Sequence, residues 1–491
     1  MSASRPSFVD GLDGTLTIDP DALRDAGRDL GRLREGRPAA VLRPGSVDDI
    51  CKVVARCHDL EVSVAAQGAA HTVGGQRLAE GGVAVDMTCL ADVAAAKFAA
   101  DRAWIDVPAG MLWSTLTLLL LEHGRRFAGG DTGYLDLTVG GTLSVGGIGC
   151  QPAKGAQVDY VLELDVVTGD GSLISCSAKE RPDLFDAARA GLGQVGIITR
   201  ARLQLVPAHP TVASAVVPYT DPGDAFEAIW TACSMIDKGH EEDECFMMIT
   251  PRLPDGTPMV LNVHLACPGP DGTDRLDEVK SRLPAWHVPS SAPGRRADPK
   301  AQRPTGAVQT TVLPLRDHLF QFTELINRWR REAGWDDRLK PWFDQFLPAD
   351  AAGSYVSDRL QEMTDEDWSA PDFMGFVLFF PHRRNAFRSP RLRLPAAADP
   401  NDPNELGGLF DVLCVSPAAP SITYDTSMAA RNHSWGRAGD AVGGTRYPIS
   451  EVPSADGWRA HYGDTWPEVL AAIHRYNPRG NMTPGPGIPR D

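Results

Sequence analysis

After a polar, only modestly helical lead-in over residues 1–37, apolar positions fall into short runs that alternate with amphipathic stretches. Pro-Ala-Ala-Val-Leu-Arg-Pro over residues 38–44 reads as a strand cut off by its last proline. Ser46 with Asp49 three positions on has the pattern of a capping box. Ile50, Val53, Val54 and Cys57 then recur at i, i+3, i+4 and i+7, one face of a helix. Residues 64–87 read as an apolar strand, a small-residue loop and a second apolar strand; taken alone, the loop fits a hairpin. A Leu-rich helix is expected over 109–123 with Gly124 as its cap, and a hairpin over 161–176 turning at Gly169-Asp-Gly171. A helix over 183–189 and a strand over 195–205 follow. Past Pro207 and Pro210 the pattern mixes strand-like runs (246–249, 259–264, 376–380, 409–415) with amphipathic helices. Two Pro-rich loops, 286–306 and 395–408, interrupt it. From Tyr447 the tail is helical again and ends in Met482-Thr-Pro-Gly-Pro-Gly-Ile488. There is no internal repeat. The order of elements predicts an α+β protein.

With 491 residues, two domains are expected. The 48 Lys and Arg against 64 Asp and Glu give a net charge of −16, which disfavours nucleic acid or an anionic membrane as partner. The start lacks a signal-peptide core, and the Leu-rich run 116–121 is too short to span a bilayer, so a cytoplasmic protein is expected. Nine cysteines without metal-like spacing read as reduced and mostly structural, Cys150 among them. The charge run His240-Glu-Glu-Asp-Glu244 reads as a solvated face.

Candidate chemistry concentrates in two places. In the 64–87 stretch, His71 is the only bulky side chain between Gly68 and Val73, and a loop so bare lets backbone N–H groups approach a ligand. A second cluster of glycines and small residues spans 129–149, as where something flat or phosphorylated lies against the backbone. Neither is a Rossmann or Walker fingerprint, and there is no metal-ligand spacing and no nucleophilic-serine elbow.

Several stretches together carry a family resemblance. Ala40-Val-Leu-Arg-Pro-Gly-Ser-Val-Asp-Asp-Ile50, the His71 loop through Gly81-Gly-Val-Ala-Val-Asp-Met87, and Tyr134-Leu-Asp-Leu-Thr-Val-Gly-Gly-Thr-Leu-Ser144 are three of them. With Asp183-Leu-Phe-Asp186 and Gly191-Leu-Gly-Gln-Val-Gly-Ile-Ile-Thr-Arg-Ala-Arg202 they resemble the flavin domain of the vanillyl-alcohol oxidase / p-cresol methylhydroxylase superfamily, in the manner of cytokinin dehydrogenases. Pro341-Trp-Phe-Asp-Gln-Phe-Leu-Pro348, Gly375-Phe-Val-Leu-Phe-Phe-Pro381 and Trp458-Arg-Ala-His-Tyr-Gly-Asp-Thr-Trp466 are similar to that family's substrate domain and C-terminal segment.

The resemblance implies a two-subdomain FAD-binding domain of p-cresol methylhydroxylase type (1–207 and 447–491) plus an α+β substrate domain with a sheet backed by helices (208–446). It implies FAD bound covalently through His71, which asks for a neutral imidazole, and no second covalent anchor, since no cysteine lies between Cys89 and Cys150. Ala66, Gly68, Ala69, Ala70, Thr72 and Gln76 match flavin contacts of the first loop. Thr138, Ser144, Ile148 and Ile198 match the second set, and Tyr447 matches a C-terminal contact. Trp342 and Asp344 match a stretch above the active site and are expected to shape the substrate pocket.

The departures bear on substrate. Gly133 stands where cytokinin dehydrogenases carry the Asp that acts on the substrate amine. Their second substrate-binding acid falls near residues 228–230, where none exists, and Ser-Pro-Gly-Gln becomes Thr483-Pro-Gly-Pro486. Asp131, two residues before Gly133 and on the same side of an extended segment, is the first candidate for a replacement proton acceptor; Asp136 is the second. The expected activity is removal of hydride from a C–H beside an amine or alcohol of a small molecule, possible biosynthetic intermediates included, with oxygen or another electron acceptor as partner. The alternative is a flavin scaffold that templates a non-redox rearrangement or cyclisation, or only binds a ligand. A true cytokinin dehydrogenase is the lesser expectation.

Overall fold

A computed structural model describes residues 8–253, 258–286, 308–370, 372–399, 402, 405–448 and 453–491. The Pro-rich stretch expected over 286–306 lies, beyond Trp286, outside the described residues, as does part of 395–408.

Three sheets form in chain order. The first comprises β1 (Thr15–Thr17), β2 (Ala40–Arg43), β3 (Val64–Gln67) and β4 (Val83–Asp86), in the order β1-β2-β4-β3. β3 and β4 are parallel, so the loop between them is a crossover and not the hairpin its length suggested. The helix Val47–Leu60 covers this sheet, with Ile50, Val53, Val54 and Cys57 wholly buried against Leu42, Val64, Val83 and Val85. Ser46 caps it, accepting from the Asp49 amide at 3.4 Å. The Asp49 carboxylate does not complete the box. It turns away from the helix N-terminus to accept from the amides of Asp13, Gly14 and Gly45 at 2.7–2.8 Å, which pin the lead-in and hold its carboxyl below the usual range against the opposing effect of burial.

The second sheet is antiparallel: β5 (Lys97–Phe98), β6 (Trp104–Pro108), β7 (Arg125–Phe127), β8 (Val161–Thr168), β9 (Leu173–Ser177) and β10 (Gly196–Pro207), with β10 at its centre. β8 and β9 are the expected hairpin. The Leu-rich helix runs Trp113–Glu122, starting later than expected, because Ala109 still donates to the Thr199 carbonyl of β10.

The third sheet is β11 (Thr211–Tyr219), β12 (Glu244–Thr250), β13 (Val260–Pro268), β14 (Thr311–Pro314), β15 (Phe343–Pro348), β16 (Phe376–Arg383), β17 (Leu406–Leu413) and β18 (Thr445–Arg446), ordered β14-β11-β13-β12-β16-β17-β15-β18. Side chains alternate across it. Met247, Ile249, Phe343, Val377, Phe379, Phe410 and Val412 pack against the helices Pro222–Met235, Ala349–Glu362 and Tyr424–Ala441. The residues between them face the other way.

After the helices Ala455–Tyr462 and Trp466–Tyr476 the chain returns to the first sheet, where Met482 bridges Val64 and Thr483 donates to the Val64 carbonyl at 2.8 Å. All nine cysteines are free thiols and most are buried. Among the described residues no helix is long and apolar enough to cross a membrane.

Candidate active site

β3 ends into the His71 loop, and the lead-in holds that loop in place. Leu30 and Gly31 donate to the carbonyls of Ala70 and Thr72. The buried carboxylate of Asp29 accepts from Thr72 Oγ1 (3.1 Å) and the Gly75 amide (2.7 Å). Ala70 sits at φ +60°, a strained conformation for a side-chain-bearing residue, which these bonds fix. The lead-in, polar and featureless as sequence, is thus the scaffold of the loop.

The second cluster folds around the short helix Val139–Val145 and lies against the first. A Cβ on Gly68 would stand 2.1 Å from Thr138 Oγ1, so the two loops meet only because residue 68 has no side chain. Gly68→Ala is expected to cost about 1–3 kcal/mol by overpacking. Denaturant unfolding checks this, and Thr138→Ala in the same chain should restore part of the loss.

Between the loops and the third sheet is a cavity of about 350 Å³. Ala66, Gly68, Ala69, Ala70, His71, Thr72, Gln76, Thr138, Ser144, Ile148, Ile198, Tyr447, Trp342 and Asp344 all line it. His71 is held by three rings: Tyr134 stacks at 4.9 Å, Trp335 at 6.4 Å, and Trp342 meets it edge-on at 5.5 Å. Burial, then the cations of Arg330 and Lys340, pushes its imidazole down to about 3, so it is neutral across the physiological range. Tyr447 accepts a hydrogen bond from the Gly147 amide at 3.0 Å, tying the C-terminal segment to the second loop. Cys150 also lines the cavity, its thiol held well above its ordinary range by burial and therefore inert.

Asp131 and Asp136 do not line the cavity. Asp131 is ion-paired with the buried Arg126, which also holds Glu242 at 3.1 Å. Asp136 accepts from Asn327 Nδ2 at 2.6 Å. The strand-like parity that placed Asp131 beside position 133 fails because residues 129–133 form no strand; the buried guanidinium takes the carboxylate instead. The charge run is corrected likewise. Glu242 pairs with Arg126, Asp243 with Arg275, and buried Glu244 with His318 (2.7 Å) and Gln151 (2.9 Å).

The face of the third sheet turned to the cavity carries Phe246, then Phe376, Leu378 and Phe380 of β16, then Leu409, Asp411 and Leu413 of β17. On β15, Asp344 stands directly opposite Asp411. Burial, and then the Asp344 carboxylate, holds Asp411 well above the usual carboxylate range. Asp411 escaped sequence reasoning; the available signal was one acid inside the apolar run Leu409-Phe-Asp-Val-Leu413.

The fold, with small-residue loops facing a helix-backed sheet, matches the FAD-dependent oxidoreductases of the vanillyl-alcohol oxidase / p-cresol methylhydroxylase type. Residues 38–177 match the family described as an FAD binding domain. Cytokinin dehydrogenase 8 of Oryza sativa subsp. indica is 30% identical over 514 aligned positions, covering 96% of this chain and 93% of the relative. Cytokinin dehydrogenase 6 of Oryza sativa subsp. japonica is 29% identical, covering 98% and 92%. The chain belongs to the cytokinin dehydrogenase family. In fold it is similar to 6-hydroxy-D-nicotine oxidase from Arthrobacter nicotinovorans, with a TM-score of 0.72, 18% identity and 98% of each chain covered.

Proposed function

We propose that the protein holds FAD covalently through His71 and removes hydride from a C–H beside an amine or alcohol of a small molecule, passing electrons to oxygen or another acceptor. The neutral His71 imidazole, exposed to a cavity walled by two glycine-rich loops, carries this reading. Those walls fit the group: Gly68, Gly140, Gly141 and Gly193 line the cavity with bare backbone that a flat or phosphorylated group can approach, and Ser144, Gln76 and Tyr447 add polar atoms. The first two sheets with the C-terminal helices would then hold the cofactor, and the third sheet the substrate. FAD, when bound, supplies two-electron hydride acceptance.

The chain's own part is to position, to exclude water and to hold a proton. Tyr134, Trp335 and Trp342 fix the plane of the His71 ring, and a neutral ring offers a free nitrogen lone pair for the covalent link. Phe246, Phe376 and Phe380 make the substrate side apolar. Position 133 borders the cavity with a glycine whose missing Cβ would have Phe322 as its nearest neighbour, at an ordinary 3.5 Å. That space lacks the carboxylate that cytokinin dehydrogenases carry there, which favours a different substrate.

Acid precipitation of the purified protein tests the reading. The yellow colour is expected to stay in the pellet, and to move to the supernatant in His71→Ala. Colour that remains in the variant's pellet would overturn the His71 link. Anaerobic addition of candidate amines and alcohols should bleach the flavin; a flavin that no candidate reduces would favour the non-redox scaffold.

A further inference from the structure

The third-sheet residues that line the cavity are apolar except at one point, where β15 and β17 place two aspartates side by side. Asp344 and Asp411 are direct cross-strand partners, both are buried, and both line the cavity. Like charges directly opposite one another weaken a sheet, and two carboxylates this close in an apolar setting do not both ionise. Leu378 flanks Asp411 on its other side and offers no polar atom. Asp411 Oδ1 is buried without a hydrogen-bond partner among the described residues. An unpartnered buried carboxyl oxygen at a cavity wall calls for an explanation, and a donor group on a bound ligand supplies one.

We propose that the Asp344–Asp411 pair anchors the ammonium group of an amine substrate whose apolar body lies along Phe246, Phe376 and Phe380. The proposal rests on the reading of the cavity as the substrate site and narrows it from amine or alcohol to amine. Asp411 is held protonated by burial and by its neighbour, so the pair shares one proton and carries a single negative charge. Tyr447, beside both carboxyls, stays a neutral phenol because burial and the two acids hold it up. A single negative charge in an apolar pocket complements one cation, and the two carboxyls together accept two of its N–H bonds. A neutral alcohol offers one donor and no charge.

A shared proton makes an unusual mutational signature. Asparagine in place of either acid mimics the protonated partner and lets the other ionise, so the charge is unchanged. Only the double replacement removes it.

The test is calorimetry on the holoenzyme, reduced with dithionite under argon so that no turnover competes. The probes are benzylamine and phenethylamine against benzyl alcohol and phenethyl alcohol. The amines are expected to bind at least about tenfold more tightly than the matched alcohols. Asp344→Asn and Asp411→Asn should each keep that preference within about threefold. The double variant Asp344→Asn/Asp411→Asn should weaken amine binding about 30-fold, the loss of one charge-assisted contact, and leave alcohol binding alone. Circular dichroism and the melting temperature confirm that each variant folds. Equal binding of amines and alcohols, binding of neither, or an undiminished amine preference in the double variant would each overturn the proposal. Absorbance of the oxidised flavin, read on the same sample before reduction, separates the two levels. Flavin present without amine preference defeats this inference alone, whereas a preparation that never carries flavin defeats the reading beneath it.

Discussion

Replacing Arg126 with methionine is expected to destabilise the protein by about 3–5 kcal/mol, because it strips the partner from buried charges. The Arg126 side chain is 4% exposed and sits on β7, between Asp131 of the second glycine cluster and Glu242 of the segment leading into β12. Burial pushes the Asp131 carboxyl up and Arg126 pulls it back. Without the guanidinium, Asp131 and Glu242 face each other across a largely buried junction with their shared counter-charge gone. Urea unfolding of the variant beside the native protein at neutral pH measures the loss. The same geometry assigns Asp131 a structural part. Asp131→Asn should therefore lower stability while leaving the anaerobic rate of flavin reduction nearly unchanged; a collapse of that rate with stability intact would return Asp131 to the chemistry.

Asp411→Asn is expected to raise stability increasingly as the pH climbs. With its folded-state value held well above the usual range, Asp411 keeps a proton that the unfolded chain releases near pH 4. The folded state then binds more protons than the unfolded one. This group's contribution is fully present below about pH 4 and is lost as pH rises towards the folded value, at up to about 1.4 kcal/mol per pH unit. Asparagine removes that penalty. Melting temperatures of the variant and the native protein should coincide near pH 4 and separate towards neutrality, the variant melting higher. A constant offset across the range would show that Asp411 ionises normally.

How much of this was visible in the chain depends on the reach of each interaction. The helix Val47–Leu60, its Ser46 cap, the β8–β9 hairpin and four strands of the third sheet (β12, β13, β16 and β17) follow from periodicity and turn residues, because neighbours in sequence settle them. The cavity wall was legible for a related reason. A backbone that must approach a ligand shows itself as glycine and alanine wherever it folds, so Gly68, Ala69 and Ala70 announce the first loop and residues 138–148 the second.

Partners distant in the chain were not legible. Asp131 looked available to a substrate until Arg126 was placed beside it, and 240–244 looked solvated until Arg126, Arg275 and His318 were. Asp29 lay in a lead-in with no pattern of its own, yet it ties down the His71 loop. By itself the sequence determined the local elements, the small-residue walls and the histidine set among them, since backbone sterics and hydrophobic period act over a few residues. Only the tertiary structure decided that β3 and β4 run parallel, that burial with the cations of Arg330 and Lys340 keeps His71 neutral, and that Asp411 faces Asp344. Strand register and burial, which set those pairings and their charge, exist only once distant segments have packed together.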